Sequence, residues 1–160
     1  MEIEFRKFSE FSKGILTELL KQGYSFDLRY SNLWMHQWKE EESFFYEHLD
    51  IADACGFITT LKDKPIGFIA WDPRKLPDLV EIGNNCIETN YQGLGYGKMQ
   101  LQEAIRRIRL LNPGKIIVTT NQKLVSAQKN YESIGFILKG QRANQGEFEF
   151  AGEFLDYELR

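Results

Sequence analysis

The chain has 160 residues, 42% hydrophobic and 27% charged, which predicts one folded domain over 1–160 and excludes disorder. Its 20 basic and 23 acidic residues leave a net charge of -3, so nothing favours nucleic acid through its phosphates. Two cysteines without CxxC spacing, two histidines (His36, His48) and no apolar run of membrane length predict no metal, no membrane partner and a cytoplasmic location.

Ile3 to Phe8 alternates apolar and polar residues, which predicts a strand, and the opening residues lack the apolar stretch of a signal peptide. Ser9 is placed to cap a helix that runs to Gln22 and stops at Gly23. An aromatic helical region follows from Leu28 to Leu49, carrying Trp34, Trp38, Phe44, Phe45 and Tyr46. Ala54–Leu61 and Pro65–Trp71 read as two strands around a short turn at Lys62-Asp63-Lys64, and 72–77 is a loop. Asp78 to Ile87 reads as another strand, where Gly83-Asn84-Asn85 predicts a bulge or the close approach of a ligand.

Gly95 to Leu111 reads as an amphipathic helix with Leu101, Ala104, Ile105, Ile108 and Leu111 on its apolar face and Arg106, Arg107 and Arg109 largely outside it. Lys115–Asn121 has a buried-strand pattern, Ser126–Ser133 a helical one, Gly135-Phe136 opens a further strand and Glu153–Leu159 closes the chain as the last. Hairpins early and strand-helix-strand-helix late predict an α/β (α+β) fold: one mixed sheet with helices on both faces.

The chemistry centres on Gln92-Gly93-Leu94-Gly95-Tyr96-Gly97-Lys98, between a strand and a helix. Free N–H groups at a helix start attract an anion, glycines permit close approach, and Lys98 adds positive charge, so a pyrophosphate is the natural guest. A Walker A loop needs glycine at Gln92 and Ser or Thr at Met99, and a Rossmann fingerprint needs glycine at Lys98. Neither pattern fits; Gln-x-x-Gly-x-Gly over Gln92 to Gly97 does.

That motif, followed by a helix, a strand and Ala127-x-x-x-Tyr131-x-x-x-Gly135-Phe136, resembles the GNAT acyltransferase superfamily over Asp78 to Phe136. The resemblance implies a mixed, mostly antiparallel central sheet and an N-acetyltransferase using acetyl-CoA as cosubstrate. It implies that the amides of Gln92, Gly93, Gly95, Tyr96, Gly97 and Lys98 cradle the pyrophosphate, and that Cys86 and Ile87 pair through their backbones with the pantetheine arm. Many members carry an asparagine three residues before the motif alanine; Leu124 stands there, and Asn121 is the substitute contact.

Making a lysine-like amine neutral at pH 7 costs roughly 4–5 kcal/mol, so a carboxylate base is expected. Glu81, on the strand leading to the cofactor contacts, matches a place where some members keep a catalytic glutamate; a solvent-facing strand residue is the alternative, and Glu88 lies too near the turn. Tyr131 matches the group that protonates the departing thiolate, with packing on the sheet as the alternative. The acceptor is expected to be a primary amine of a small molecule or peptide. Trp34, Trp38, Phe45, Tyr46 and Trp71 either wall its pocket or belong to the core. A non-catalytic acyl-CoA-binding module, a longer acyl donor and a homodimer are all left open by the residues.

Overall fold

The first strand, β1 (Ile3–Arg6), opens the chain in a computed structural model that describes residues 2–160. Its alternation ends two residues earlier than expected, because Phe8 turns inward to begin a 3-10 turn (Phe8–Glu10) and is fully buried. The helix expected from Ser9 starts only at Ile15, as α1 (Ile15–Gly23). Ser9 does not cap it; the Ser9 N–H donates to Asp53 at 3.1 Å.

Gly14 holds the N-cap position of α1 and has no side chain to offer. Glu42, on α2 (Leu28–Glu47), supplies the missing acceptor although it is only 4% exposed. Its carboxylate accepts from the N–H groups of Gly14 (2.9 Å), Leu16 (2.7 Å) and Thr17 (3.4 Å) and from the Thr17 hydroxyl (2.7 Å). An anion from a second helix thus satisfies orphan donors that a local serine was expected to meet. Trp38 is buried and Trp34 and Phe45 half-buried along α2, where they pack with Phe8, Leu16, Leu20 and Phe68, while the buried Tyr30 ring lies against Tyr24, Phe26 and Trp34.

A short α3 (Leu49–Ala54) displaces the start of the next strand, β2 (Gly56–Leu61), which pairs antiparallel with both β1 and β3 (Lys64–Asp72). Lys62 and Asp63 both take positive φ (49° and 67°) in the hairpin turn, the handedness that matches twisted strands. The remaining elements are β4 (Leu79–Ile87), α4 (Tyr96–Arg109), β5 (Lys115–Asn121), α5 (Val125–Ile134), β6 (Ile137–Arg142) and β7 (Phe154–Leu159).

The seven strands follow the order β1-β2-β3-β4-β5-β7-β6. β4 and β5 run parallel, as a helical crossover between them requires, while β5 with β7 and β7 with β6 run antiparallel. The sheet is therefore mixed and mostly antiparallel. β4 runs through Gly83-Asn84-Asn85, where its alternation of buried and more exposed residues breaks: Gly83 is exposed, Asn84 and Asn85 are half-buried, and Cys86 and Ile87 are both buried. The Asn84 side chain reaches Glu41 of α2 and the next side chain, Asn85, reaches Gln100 of α4. Successive strand residues point to opposite faces, so helices cover both sides of β4 there.

Two compact units divide these elements: one holds the residues through Ala70 with Asn84–Gln100, the other Trp71–Gly83 with Leu101–Arg160. In the second, Leu101, Ala104, Ile105 and Ile108 of α4 are buried as the periodicity predicts. Leu111 is not; it lies past the end of α4 and is 42% exposed, where the chain turns with Asn112 at φ 56°. Arg106 and Arg107 stay off the buried stripe and both bind Glu103.

Candidate active site

In the first unit, β4 delivers Cys86 and Ile87 to the glycine turn. A 3-10 turn (Thr89–Tyr91) separates them from Gln92. Gly93 and Gly95 adopt φ of 76° and 93°, and a β-carbon at either would meet nothing within 4 Å. Glycine is required here for conformation, and the space beside it is open. The Gly95 carbonyl accepts the first helical hydrogen bond of α4 from Met99 N–H at 3.1 Å. Gly97 and Lys98 occupy the first turn of α4, among the amides that a helix start leaves without internal partners. This open, positively polarised turn suits a pyrophosphate.

The Gln92 side chain has a structural task. Its Nε2 donates to the Ile87 carbonyl at 2.8 Å and to the Gly23 carbonyl at 3.1 Å. Thr89 adds a hydrogen bond to the Gln22 carbonyl at 2.6 Å, so the end of α1 is tied to the end of β4. Gly23 makes that approach feasible, since a β-carbon there would stand 3.1 Å from the Ile87 carbonyl oxygen. Beside the turn, the Lys64 ammonium lies 3.3 Å from the Tyr91 hydroxyl and 4.0 Å from Glu88. Tyr91 first and Glu88 second raise its pKa.

Gln100 was not visible as a functional candidate, yet it is fully buried in α4. Its Nε2 donates to the carbonyls of Phe68 (3.0 Å) and Cys86 (3.1 Å) and to Asn85 Oδ1 (2.9 Å), while its Oε1 accepts from the Thr59 hydroxyl (2.7 Å). It thus holds the backbone of β3 and β4 beside the glycine turn. A glutamine four residues before Ala104 on an otherwise apolar stripe was the available signal, because a buried amide needs partners. Cys86 itself is buried, and burial pushes its thiol up to about 12 despite a hydrogen bond from the Phe68 backbone.

In the second unit, Glu81 is half-buried on β4, opposite Ile117 of β5. Tyr131 is 4% exposed on α5, with its ring 5.4 Å from Phe136 and 5.9 Å from Tyr157. The Tyr157 hydroxyl donates to Glu132 at 2.6 Å, and burial, then Glu132, push its pKa up to about 12. Asn121 closes β5 as a buried turn residue: its Oδ1 accepts from Lys123 N–H at 3.1 Å and its carbonyl from Gln128 Nε2 at 2.9 Å. Trp38 and Trp71 are buried, and Trp34, Phe45 and Tyr46 pack against the core of the first unit. His36 pairs with Glu40 and His48 stacks on Phe44, both at the surface. Among the described residues, no group of three His, Cys, Asp or Glu could hold a metal ion, and no helix is long and apolar enough to cross a membrane.

Residues 15–136 match the acetyltransferase (GNAT) family. The chain belongs to that family. It shares 26% identity over 83 residues with an N-acetylaspartate synthetase of Xenopus tropicalis, covering 52% of this chain and 31% of that one. The chain therefore spans about a third of the length of this curated relative. The fold is similar to that of a chain in the solved NatC complex bound to Gag peptide and CoA (TM-score 0.70, 20% identity, covering 99% of this chain and 98% of that chain). A GNAT acetyltransferase of Elizabethkingia anophelis with acetyl-CoA bound superposes at TM-score 0.68 with 14% identity, covering 99% and 98% of the two chains.

Proposed function

We propose that the chain is an N-acetyltransferase, moving the acetyl group of acetyl-CoA directly to a primary amine of a small molecule or peptide, in the cytoplasm. The observation that carries this reading is the open turn at Gly93 and Gly95, entered from β4 and leading into α4, inside the span that matches the GNAT family. The amides of Gln92 through Lys98 bind the pyrophosphate, and the backbone of Cys86 and Ile87 lies along the pantetheine arm. Asn121 is a further contact to that arm. The relative named for N-acetylaspartate and the neighbour solved with a peptide both support an amine acceptor.

Direct transfer is supported by the state of Cys86. Burial raises the Cys86 thiol to about 12, which disfavours the thiolate that an acyl-enzyme route needs. Glu81 takes a proton from the acceptor ammonium, and Tyr131 returns one to the sulfur leaving the thioester. Alignment of amine and thioester supplies much of the remaining acceleration, about 7–11 kcal/mol in well-oriented systems.

Thermal shift tests the first half of the reading: acetyl-CoA raises Tm by mass action and NAD or ATP does not. Thiol release with an amine panel tests the second. Tyr131→Phe keeps the aromatic packing and lowers kcat by about 10²–10⁴. Unchanged turnover in that variant removes Tyr131 from the mechanism.

A further inference from the structure

Adjacent carboxylates on α2 are used in opposite ways. Glu42 is consumed by the start of α1, whereas Glu41 is half-buried and bound only by neutral groups. Its Oε1 accepts from Gln37 Nε2 at 3.1 Å and its Oε2 from Asn84 Nδ2 on β4. Among the described residues no Lys, Arg or His pairs with it. Neutral amides offset part of the desolvation of a carboxylate but leave its charge without a counter-ion.

The location is specific. Asn84 lies two residues before Cys86, about 7 Å along an extended strand and on the same face. That face meets α2, since Cys86 belongs to the core cluster that contains Trp38, one helical turn before Glu41. A counter-ion-seeking carboxylate therefore stands beside the strand that carries the proposed pantetheine contacts. Asn84 fixes it there, which accounts for a polar residue in the middle of β4.

We infer that Glu41 is the recognition carboxylate for the acceptor, binding its ammonium group and selecting cationic primary amines over neutral nucleophiles. The inference rests on the acetyltransferase reading and assigns the acceptor side of that same reaction. Glu41 holds the ammonium by charge and hydrogen bonding; removal of the proton stays with the base.

The test compares wild type, Glu41→Gln and Glu41→Asp in thiol-release assays with acetyl-CoA and three probes: L-aspartate, an unblocked tripeptide and putrescine. Glu41→Gln keeps the size of the side chain and one of its two acceptor oxygens and removes the charge, so acceptor KM rises about 10- to 100-fold while kcat changes less than threefold, the loss of a hydrogen bond to a charged group. Glu41→Asp restores part of the affinity. All three proteins show the same Tm increase with acetyl-CoA. An acceptor KM within twofold of wild type in Glu41→Gln, or a fall in kcat at constant KM, overturns the role of Glu41 while leaving the acetyltransferase reading intact. A wild type that is not stabilised by acetyl-CoA, or that turns over none of the probes, overturns both.

Discussion

Replacing Gly95 by alanine separates the conformation of the glycine turn from the space around it. Gly95 sits at φ 93°, yet an added β-carbon meets no atom within 4 Å, so the substitution brings strain without collision. Placing an L side chain in left-handed backbone costs about 1–2 kcal/mol. If the bound turn must keep that backbone, acetyl-CoA affinity falls by the corresponding factor, about 5- to 30-fold. Gly97 provides the contrast: it lies inside α4, where alanine is the better helix former by about 1 kcal/mol. Gly97→Ala therefore holds or raises Tm, and any loss of affinity there reports steric blocking of the phosphates. Isothermal titration of acetyl-CoA into wild type, Gly95→Ala and Gly97→Ala, with thermal melts of each, reads both quantities. A Gly95→Ala protein that binds acetyl-CoA as tightly as wild type refutes the claim that the left-handed turn is the binding conformation.

Other expectations concern groups away from the turn. Glu42→Ala removes four hydrogen bonds at the start of α1 and leaves amides without partners, costing about 2–4 kcal/mol in urea unfolding; a loss below about 0.5 kcal/mol contradicts the capping role. With its thiol near 12, Cys86 is about 10⁻⁴ thiolate at pH 8, so disulfide reagents label it at least a hundredfold more slowly in native protein than in denaturant. Hydrogen bonding with Arg106, then with Arg107, holds the Glu103 carboxyl down at about 2, against an ordinary 4.5. A depressed carboxylate stabilises the fold above its unfolded pKa and loses that contribution as pH falls through the folded one. Glu103→Gln thus lowers stability by about 1 kcal/mol at pH 7, and the gap from wild type closes between about pH 5 and pH 2 in denaturant titrations.

Local signals carried much of the chain. The apolar spacing of Leu101, Ala104 and Ile108 specified α4, and Lys115–Asn121 was bounded as strand to the residue, because periodicity reports directly which side of an element is dry. The glycine turn was legible for a similar reason: positive φ restricts the residue type at Gly93 and Gly95. The α1 start was misplaced because Ser9 offered a plausible local cap, whereas the acceptor in use lies 28 residues from Gly14. The polar residues in mid-strand gave no sign of their partners: Asn84 answers Glu41 and Asn85 answers Gln100 on separate helices.

Read alone, the sequence determined most of the helices and strands and the glycine turn between β4 and α4, since those depend on neighbours within one or two turns of chain. Only the tertiary structure decided that β7 enters between β5 and β6, that Gln92 clasps α1 to β4, and that one of two adjacent glutamates is spent on a helix end while the other keeps its charge unanswered. Such pairings join residues far apart in the chain, and the energy that selects them comes from desolvation and hydrogen bonding in the folded interior, which no short stretch of sequence contains.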